Sequence, residues 1–344
     1  MKELVVISGK GGTGKTSIVA SMASLAGAHA VLADCDVDAA DLHLILAPRN
    51  TQRHDFYSGQ QAVIDPQRCT NCGACEAYCR FAAVQRGAAA RPGAAAACKD
   101  CDFCSRSCSQ RANDQIAAMM EASGTAAALA IEIDPLACQG CGVCARFCPA
   151  EAITLRPRLC GQWMISQTRV GSLVHARLAP AAENSGKLVS TVRQQARELA
   201  RRDGCELVII DGPPGVGCPV IASMTGATLA MIVTEPTLSG RHDMQRAADL
   251  ARHFKIPAMI CVNKWDLNPQ VADDIEALAQ QRGIRNAGRV CYDPIVTRAQ
   301  IQGRAVVDAG PGRCADDIRR VWGATYTALE NLASERSVQR ARDG

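Results

Sequence analysis

The sequence contains no apolar run approaching the ~18 residues of a membrane-spanning helix, so membrane insertion is not expected. No export leader is expected: Met1-Lys2-Glu3-Leu4 runs straight into a predicted strand, with no apolar stretch and cleavage site to follow. The chain lacks blocks of like charge. The formal net charge is only +4 and the basic residues are scattered, which argues against a nucleic-acid partner. The last residues, Ser334 to Gly344, are polar and basic without apolar partners at helical spacing, so a membrane-targeting amphipathic helix is not expected there.

Cysteine is abundant, at 19 residues in 344. Tight clusters of cysteine in a chain without a leader point to metal rather than to disulfides, and to a reducing cytoplasm. The clusters lie between Cys69 and Cys148 and interrupt an α/β pattern. Before them, Leu4-Val5-Val6-Ile7 reads as a buried strand, Thr16 to Ala26 as a helix and Ala30-Val31-Leu32-Ala33 as a second strand ending at Asp34. That βαβ unit implies a parallel sheet. After residue 160 the pattern returns, with strands at Leu207 to Ile210, Leu229 to Val233 and Ala258 to Val262. Helices are expected at Leu188 to Arg202, Met244 to Phe254, Gln270 to Arg282 and Asp316 to Ala333. Gly87 to Ala97, rich in Ala, Gly, Arg and Pro, reads as a linker within the interruption.

Gly9-Lys10-Gly11-Gly12-Thr13-Gly14-Lys15-Thr16 matches G-x-x-x-x-G-K-[ST] between a predicted strand and a predicted helix. The glycines let backbone N–H groups face phosphates, and the helix N-terminus adds a positive dipole. Lys15 is expected at the β/γ-phosphates and Thr16 on Mg²⁺. Asp211 ends a buried strand and suits a Mg²⁺ shell. Val262-Asn263-Lys264-Trp265-Asp266 follows another buried strand, at a base-recognition edge. Alone, N-K-x-D is the guanine signature, which keeps GTP open through Asp266.

Lys10 ahead of Lys15 resembles the deviant Walker A loop of the MinD/ParA/Mrp ATPases. The resemblance continues in Asp34-Cys35-Asp36-Val37-Asp38, Asp211-Gly212-Pro213-Pro214-Gly215 and Thr234-Glu235-Pro236-Thr237. It implies that Lys10 crosses a nucleotide-sandwich homodimer, that Asp36 positions the attacking water, and that Asn263 serves adenine. ATP is therefore the expected nucleotide.

Cys69-x₂-Cys72-x₂-Cys75-x₃-Cys79 and Cys138-x₂-Cys141-x₂-Cys144-x₃-Cys148-Pro149 both have bacterial ferredoxin spacing. Ile64-Asp65-Pro66 and Ile133-Asp134-Pro135 precede them as an internal repeat. One [4Fe–4S] cluster is expected on Cys69, Cys72, Cys75 and Cys148, and a second on Cys138, Cys141, Cys144 and Cys79. Structural zinc on four cysteines is the competing reading. Cys98, Cys101, Cys104 and Cys108 repeat the spacing without a glycine after the second cysteine, and suit either a third cube or a zinc knuckle. Cys218, seven residues after Asp211, is either an interface thiol, by similarity to the nitrogenase iron protein, or a small residue of the switch loop. Cys35, Cys205, Cys261, Cys291 and Cys314 read as core residues.

The chain thus resembles MinD-like P-loop ATPases with an inserted ferredoxin domain. The expected fold is a mostly parallel sheet flanked by helices, carrying an inserted α+β bacterial-ferredoxin-like domain. The expected division is 1–60 and 157–333 for the ATPase, 61–156 for the insert and 334–344 for a polar tail. The expected activity is slow ATP hydrolysis by a dimer, coupled through the clusters to electron transfer or redox sensing with an unidentified redox partner. The alternative is an iron–sulfur assembly or metallocofactor maturation factor of the Mrp type. That reading is weakened by the lack of a C-x-x-C pair after residue 160.

Overall fold

The computed structural model describes residues 1–86, 131–180, 182 and 185–343. Their elements run β1 (Lys2–Ser8), α1 (Lys15–Ala26), β2 (Ala30–Asp34), α2 (Leu42–Leu46), β3 (Arg49–Ile64), α3 (Ala74–Tyr78), β4 (Val84–Arg86), β5 (Ile131–Ile133), α4 (Val143–Arg146), β6 (Ile153–Thr168) and β7 (Gly171–Leu178). They continue with α5 (Ser185–Arg202), β8 (Leu207–Pro214), α6 (Cys218–Met224), β9 (Leu229–Thr234), α7 (Leu238–His253), β10 (Ala258–Asn263), α8 (Pro269–Gln281), β11 (Arg285–Val290), α9 (Ile295–Ile301) and α10 (Arg313–Asp343). The chain packs into two units, Met1–Phe56 with Leu159–Gly344, and Tyr57–Arg158. Gly87 to Ala97 and the motif Cys98 to Cys108 lie outside the described residues.

In the first unit the sheet order among described residues is β11-β10-β9-β1-β8-β2-β7-β6-β3. From β11 to β7 the strands run parallel, and β6 pairs antiparallel with β7. All seven residues of β1 are buried, as a central parallel strand covered on both faces requires. Period-2 alternation splits its side chains between two layers. Leu4 and Val6 pack with Ile18 and Met22 of α1 and Ile318 and Val321 of α10. Val5 and Ile7 pack with Leu188 and Val192 of α5 and Met244 and Ala247 of α7. The strand order makes the C-terminal ends of β1, β2, β8, β9 and β10 neighbours, and that edge carries every phosphate-site motif.

Four strands, β3, β6, β7 and β11, are additions to the sequence-based expectation. β3 stands at the end of the sheet order, and its first residues are mostly exposed, so no buried apolar run marks it. β11 contains only Ala287 and Val290 as buried apolar residues. The expected polar tail from Ser334 continues α10 to Asp343. Its Glu, Gln, Arg and Ala content supports helix without an apolar face.

The second unit repeats one arrangement twice. The N–H of Asp65 donates to the Ala152 carbonyl at 2.7 Å, and the N–H of Asp134 donates to the Ala83 carbonyl at 2.7 Å. Each aspartate carboxylate accepts the N–H two residues on, from Gln67 at 2.9 Å and from Leu136 at 2.8 Å. Each aspartate carbonyl accepts from a cysteine N–H at 3.0 Å, Cys69 in one half and Cys138 in the other. Gly73 and Gly142 both take φ of 77° immediately before α3 and α4, a left-handed conformation that suits glycine. β4 pairs antiparallel with β5, and Ala62, Cys75, Ala83, Val84, Ile131, Cys138 and Ile153 form the core.

Candidate functional site

The loop between β1 and α1 is built for close approach of an anion. Gly12 and Gly14 take φ of 80° and 83°, and a Cβ on Gly11 or Gly12 would meet nothing within 4 Å. A Cβ on Gly9 would lie 2.2 Å from Asp243 Cβ, and one on Gly14 would lie 2.3 Å from Asn263 Nδ2, so both positions require glycine. The Thr13 hydroxyl is buried without a hydrogen-bond partner among the described residues. Backbone N–H groups, a helix N-terminus and a buried lysine together suit a nucleotide's phosphates.

Lys15 is 6% exposed and its Nζ lies 2.5 Å from Asp211 Oδ1 and 3.9 Å from Asp36 Oδ2. Burial alone would lower its pKa. The charge and hydrogen bond of Asp211, with Asp36 and Asp34 behind, reverse that and raise it. Asp34, fully buried, pairs in register with Asp211 across β2 and β8. Burial and the Asp211 charge hold its carboxyl well above the usual range, while N–H groups of Asp36 and Leu42 donate to it. Burial pushes Asp36 up to about 6, with Lys15 opposing and Asp211 and Asp38 adding to the rise. Thr16 is half-buried at the start of α1. The sequence motifs marked Lys15, Asp36 and Asp211; Asp34, in register with Asp211, had no role assigned.

Asn263 and Lys264 grip the loop from β10. Asn263 Nδ2 donates to the Thr13 carbonyl at 2.7 Å and Lys264 Nζ to the Gly12 carbonyl at 2.9 Å. Lys264 holds φ of 55°, left-handed for a residue with a Cβ. Asp266 accepts the Tyr292 N–H at 2.7 Å. Lys10 Nζ lies 2.5 Å from Glu235 Oε1, and Lys264 Nζ lies 3.5 Å from Glu235 Oε2. Burial would raise Glu235, but the hydrogen bond and charge of Lys10, then Lys264, bring it below the usual carboxylate range. Glu235 and Lys264 sit in motifs that sequence reading quoted for other reasons; a contact spanning more than two hundred residues leaves no local signal.

In the second unit, Cys79, Cys138, Cys141 and Cys144 line one recess together with Gly140 and Gly142. Burial raises the Cys75 thiol, and its neighbours Cys69 and Cys72 push the same way. The Cys144 thiol is raised likewise by burial and by Cys138 and Cys141. Cys138 Sγ accepts the Ala62 N–H at 3.5 Å and Cys148 Sγ the Ala152 N–H at 3.3 Å. Among the described residues no three His, Cys, Asp or Glu side chains form a group that could hold a metal ion. Cys218 is exposed at the start of α6. Cys35, Cys160, Cys261, Cys291 and Cys314 are buried, and Cys205 is half-buried.

The fold and the loop define a P-loop nucleotide-binding protein. The sequence matches the CobQ/CobB/MinD/ParA nucleotide binding domain over residues 4–306, and the chain belongs to that family, whose MinD and ParA members are P-loop ATPases. Uncharacterized protein MJ0578 of Methanocaldococcus jannaschii is 29% identical over 269 residues, covering 77% of this chain and 79% of that one. The septum site-determining protein MinD complexed with Mg-ADP from Pyrococcus horikoshii superposes with a TM-score of 0.51 at 13% identity, covering 93% of this chain and 94% of that one. A chain of the MinC:MinD cell division protein complex of Aquifex aeolicus gives 0.51 at 14% identity, covering 95% and 96%. Similarity at these identities shows the fold. Among the described residues no helix is long and apolar enough to cross a membrane.

Proposed function

We propose that this chain is a cytoplasmic, ATP-dimerised ATPase whose Tyr57–Arg158 unit is ferredoxin-like and holds two [4Fe–4S] clusters, coupling nucleotide state to electron transfer or redox sensing. One observation carries the iron–sulfur reading: Cys79, from the first motif, shares a recess with Cys138, Cys141 and Cys144 of the last. That is the three-plus-one exchange expected of a two-cluster ferredoxin. Cys69, Cys72, Cys75 and Cys148 are the matching set for the other cluster. The clusters, when bound, supply one-electron carriers. The N–H groups of Ala62 and Ala152 that reach Cys138 and Cys148 are donors of the kind that tune such carriers. Cys98, Cys101, Cys104 and Cys108 add a third cube or a zinc ion, and Cys218 is a candidate interface thiol.

At the nucleotide, Lys15 would exchange Asp211 for the β/γ-phosphates, and Asp211 with Thr16 would hold Mg²⁺. Asp36, ionised above pH ~6, orients the attacking water. Asn263 and Asp266 border the base, and Lys10 reaches the partner's phosphates.

The test is anaerobic purification with metal analysis, then redox titration by EPR with and without a non-hydrolysable ATP analogue. About eight iron atoms are expected, or about twelve with a third cube. The analogue is expected to shift a cluster potential by roughly 40–130 mV, the span of ordinary site-to-site coupling. Stoichiometric zinc with little iron sinks the ferredoxin reading. Identical potentials sink the coupling. ATP-triggered loss of iron to an acceptor protein marks an assembly factor instead.

A further inference from the structure

The loop that carries Asp36 is tied at both ends to one buried carboxylate. Asp34 Oδ1 accepts the Asp36 N–H at 3.2 Å and Oδ2 accepts the Leu42 N–H at 3.2 Å, so the first turn of α2 hangs from the nucleotide site. With five residues, α2 is too short to persist by its own hydrogen bonds. It is held by that tie and by burial of Leu42, Ile45 and Leu46. His43, the next residue of α2, stacks on His175 of β7, with ring centroids 5.9 Å apart and planes 15° from parallel. His175 Nε2 lies 2.9 Å from Ser166 Oγ on β6, and Ser166 Oγ lies 2.9 Å from Thr51 Oγ1 on β3. A hydroxyl has one donor and two acceptor positions, so Ser166 serves both neighbours at once. Ser166 is fully buried and His175 is 5% exposed, so losing either bond strands a buried polar group. Burial, with the charges of His43 and Arg53 adding, pushes His175 down to about 4, and its ring is neutral at neutral pH. β3 and β6 also meet where His54 stacks on Trp163 at 4.0 Å and where Gln162 Nε2 donates to Asp55 Oδ1 at 2.8 Å. Among the described residues, the Thr51–Ser166 bond is the one of these three links that continues by a side-chain hydrogen bond to β7. β3 and β6 are also the strands by which the chain leaves the first unit, after Phe56, and returns to it, at Leu159.

We infer that Ser166 and His175 are positioning residues that join the Asp36 loop to the β3–β6 strand pair, so that nucleotide binding tightens the two strands leading into the second unit. The inference rests on the reading that ATP binds at the loop between β1 and α1 and engages Asp36, and it names a route for the proposed coupling. Nucleotide that engages Asp36 fixes the loop. The Asp34 tie passes that order to α2, and the His43–His175 stack passes it to Ser166. Two hydrogen bonds then reach β6 and β3 through contiguous packed side chains. β3 has little else to steady it in the first unit: Thr51 to Asp55 are exposed, and Phe56 is its buried apolar residue there. A strand with so few buried apolar contacts opens at low free energy, which is the end of the stability range where a ligand's influence is read most easily.

The experiment uses the full chain, prepared anaerobically, as wild type, Ser166→Ala and Thr51→Val. Amide hydrogen exchange of residues 49–56 and 160–168 is read by mass spectrometry with and without Mg²⁺ and a non-hydrolysable ATP analogue. Analogue affinity is read by calorimetry. In the wild type the analogue is expected to slow exchange in both segments about fivefold, the lower end of ordinary site-to-site coupling. Both variants are expected to bind the analogue within about twofold of wild type. Ser166→Ala is expected to lose the slowing in both segments. Thr51→Val, at an exposed position that keeps the fold, is expected to lose it in 49–56 and keep it in 160–168. A wild type that binds the analogue with unchanged exchange overturns the inference, and so does slowing of 49–56 that survives in Thr51→Val. Loss of analogue affinity together with loss of slowing marks a general structural role and overturns the route. A chain that binds no analogue overturns the nucleotide reading itself, and this inference with it. The graded loss of slowing beside unchanged cluster potentials upholds the route and removes only its redox consequence.

Discussion

Lys15 Nζ, at the start of α1, and Asp211 Oδ1, on β8, meet at 2.5 Å with both side chains almost wholly buried. The pair joins the phosphate-binding lysine to the residue expected on Mg²⁺. Lys15→Ala removes the cation from the phosphates, and nucleotide affinity is expected to fall by at least roughly 1.5–3 kcal/mol, the worth of one charged hydrogen bond. Calorimetric titration measures it, with a denaturation curve to establish that the variant is folded.

Lys10→Ala separates the two lysines. Lys10 pairs with Glu235, whereas Lys15 pairs with Asp211. The variant is expected to bind ATP with near-native affinity, to remain monomeric and to lose turnover. A wild-type hydrolysis rate in this variant would exclude the sandwich dimer.

Asp36 is expected to set a pH dependence. Burial pushes its carboxyl up to about 6, so the carboxylate proposed to orient the water is depleted as pH falls below that value. kcat/KM reports the free enzyme, and is expected to fall about tenfold per pH unit on the acid side of pH ~6. Asp36→Asn should be slow at every pH and show no such limb. A native profile flat from pH 5 to about 8 would remove Asp36 from the catalytic step.

Glu3 carries a structural burden far from the nucleotide. Its carboxylate takes Arg193 Nη2 at 2.5 Å and Arg197 Nε at 2.5 Å, while Arg193 Nη1 reaches the carbonyls of Ala222 and Thr225. Burial would raise the Glu3 pKa, but Arg197 and Arg193 more than offset it and the net shift is downward. The folded state thus holds this proton less tightly than the unfolded chain. Its stabilisation is present above the ordinary glutamate range, near pH ~4.3, and is lost as pH falls through the lower folded value. Glu3→Ala strands buried Arg193 and is expected to cost about 3–5 kcal/mol in denaturant unfolding at neutral pH.

The cysteine motifs can be separated by iron counting. Cys79→Ser should lower bound iron from about eight to about four, or leave a three-iron species visible by EPR. Cys101→Ser should remove about four irons from a third cube or about one zinc from a knuckle. Retention of all metal in Cys101→Ser would assign that motif no ligand role.

The parts of the fold that sequence reading reached are those with a local signal. β1, β2, β8, β9 and β10 are short apolar runs in a sheet covered on both faces, and each runs into one of the motifs quoted from the sequence. β3 shows no such run: Thr51, Gln52, Arg53, His54 and Asp55 are all exposed, and only pairing with β6 makes them a strand. β7 holds Leu173, Val174 and Ala176 in the core, but His175 breaks the apolar run and is satisfied instead by Ser166 at 2.9 Å. The site divides the same way. Lys15, Asp36 and Asp211 are announced by their motifs, whereas the Lys10–Glu235–Lys264 arrangement and the Glu3–Arg193–Arg197 cluster exist only after distant segments meet. The direction of a buried carboxyl's shift also depended on neighbours that spacing does not reveal.

The twofold repeat of the second unit makes its halves mutual scaffolds. The loop beginning at Asp65 is tied to the carbonyl of Ala152, beyond the other half's last cysteine, and the loop beginning at Asp134 is tied to Ala83 in the first half. Each half supplies what the other lacks, so neither is a minimal folding module. A chain severed between Arg86 and Ile131 would be expected to reassociate through the β1, β2 and β3 pairings of the large sheet as well as through β4 with β5. Expressed separately, the same pieces would behave as a complementing pair, each inert until it meets its counterpart.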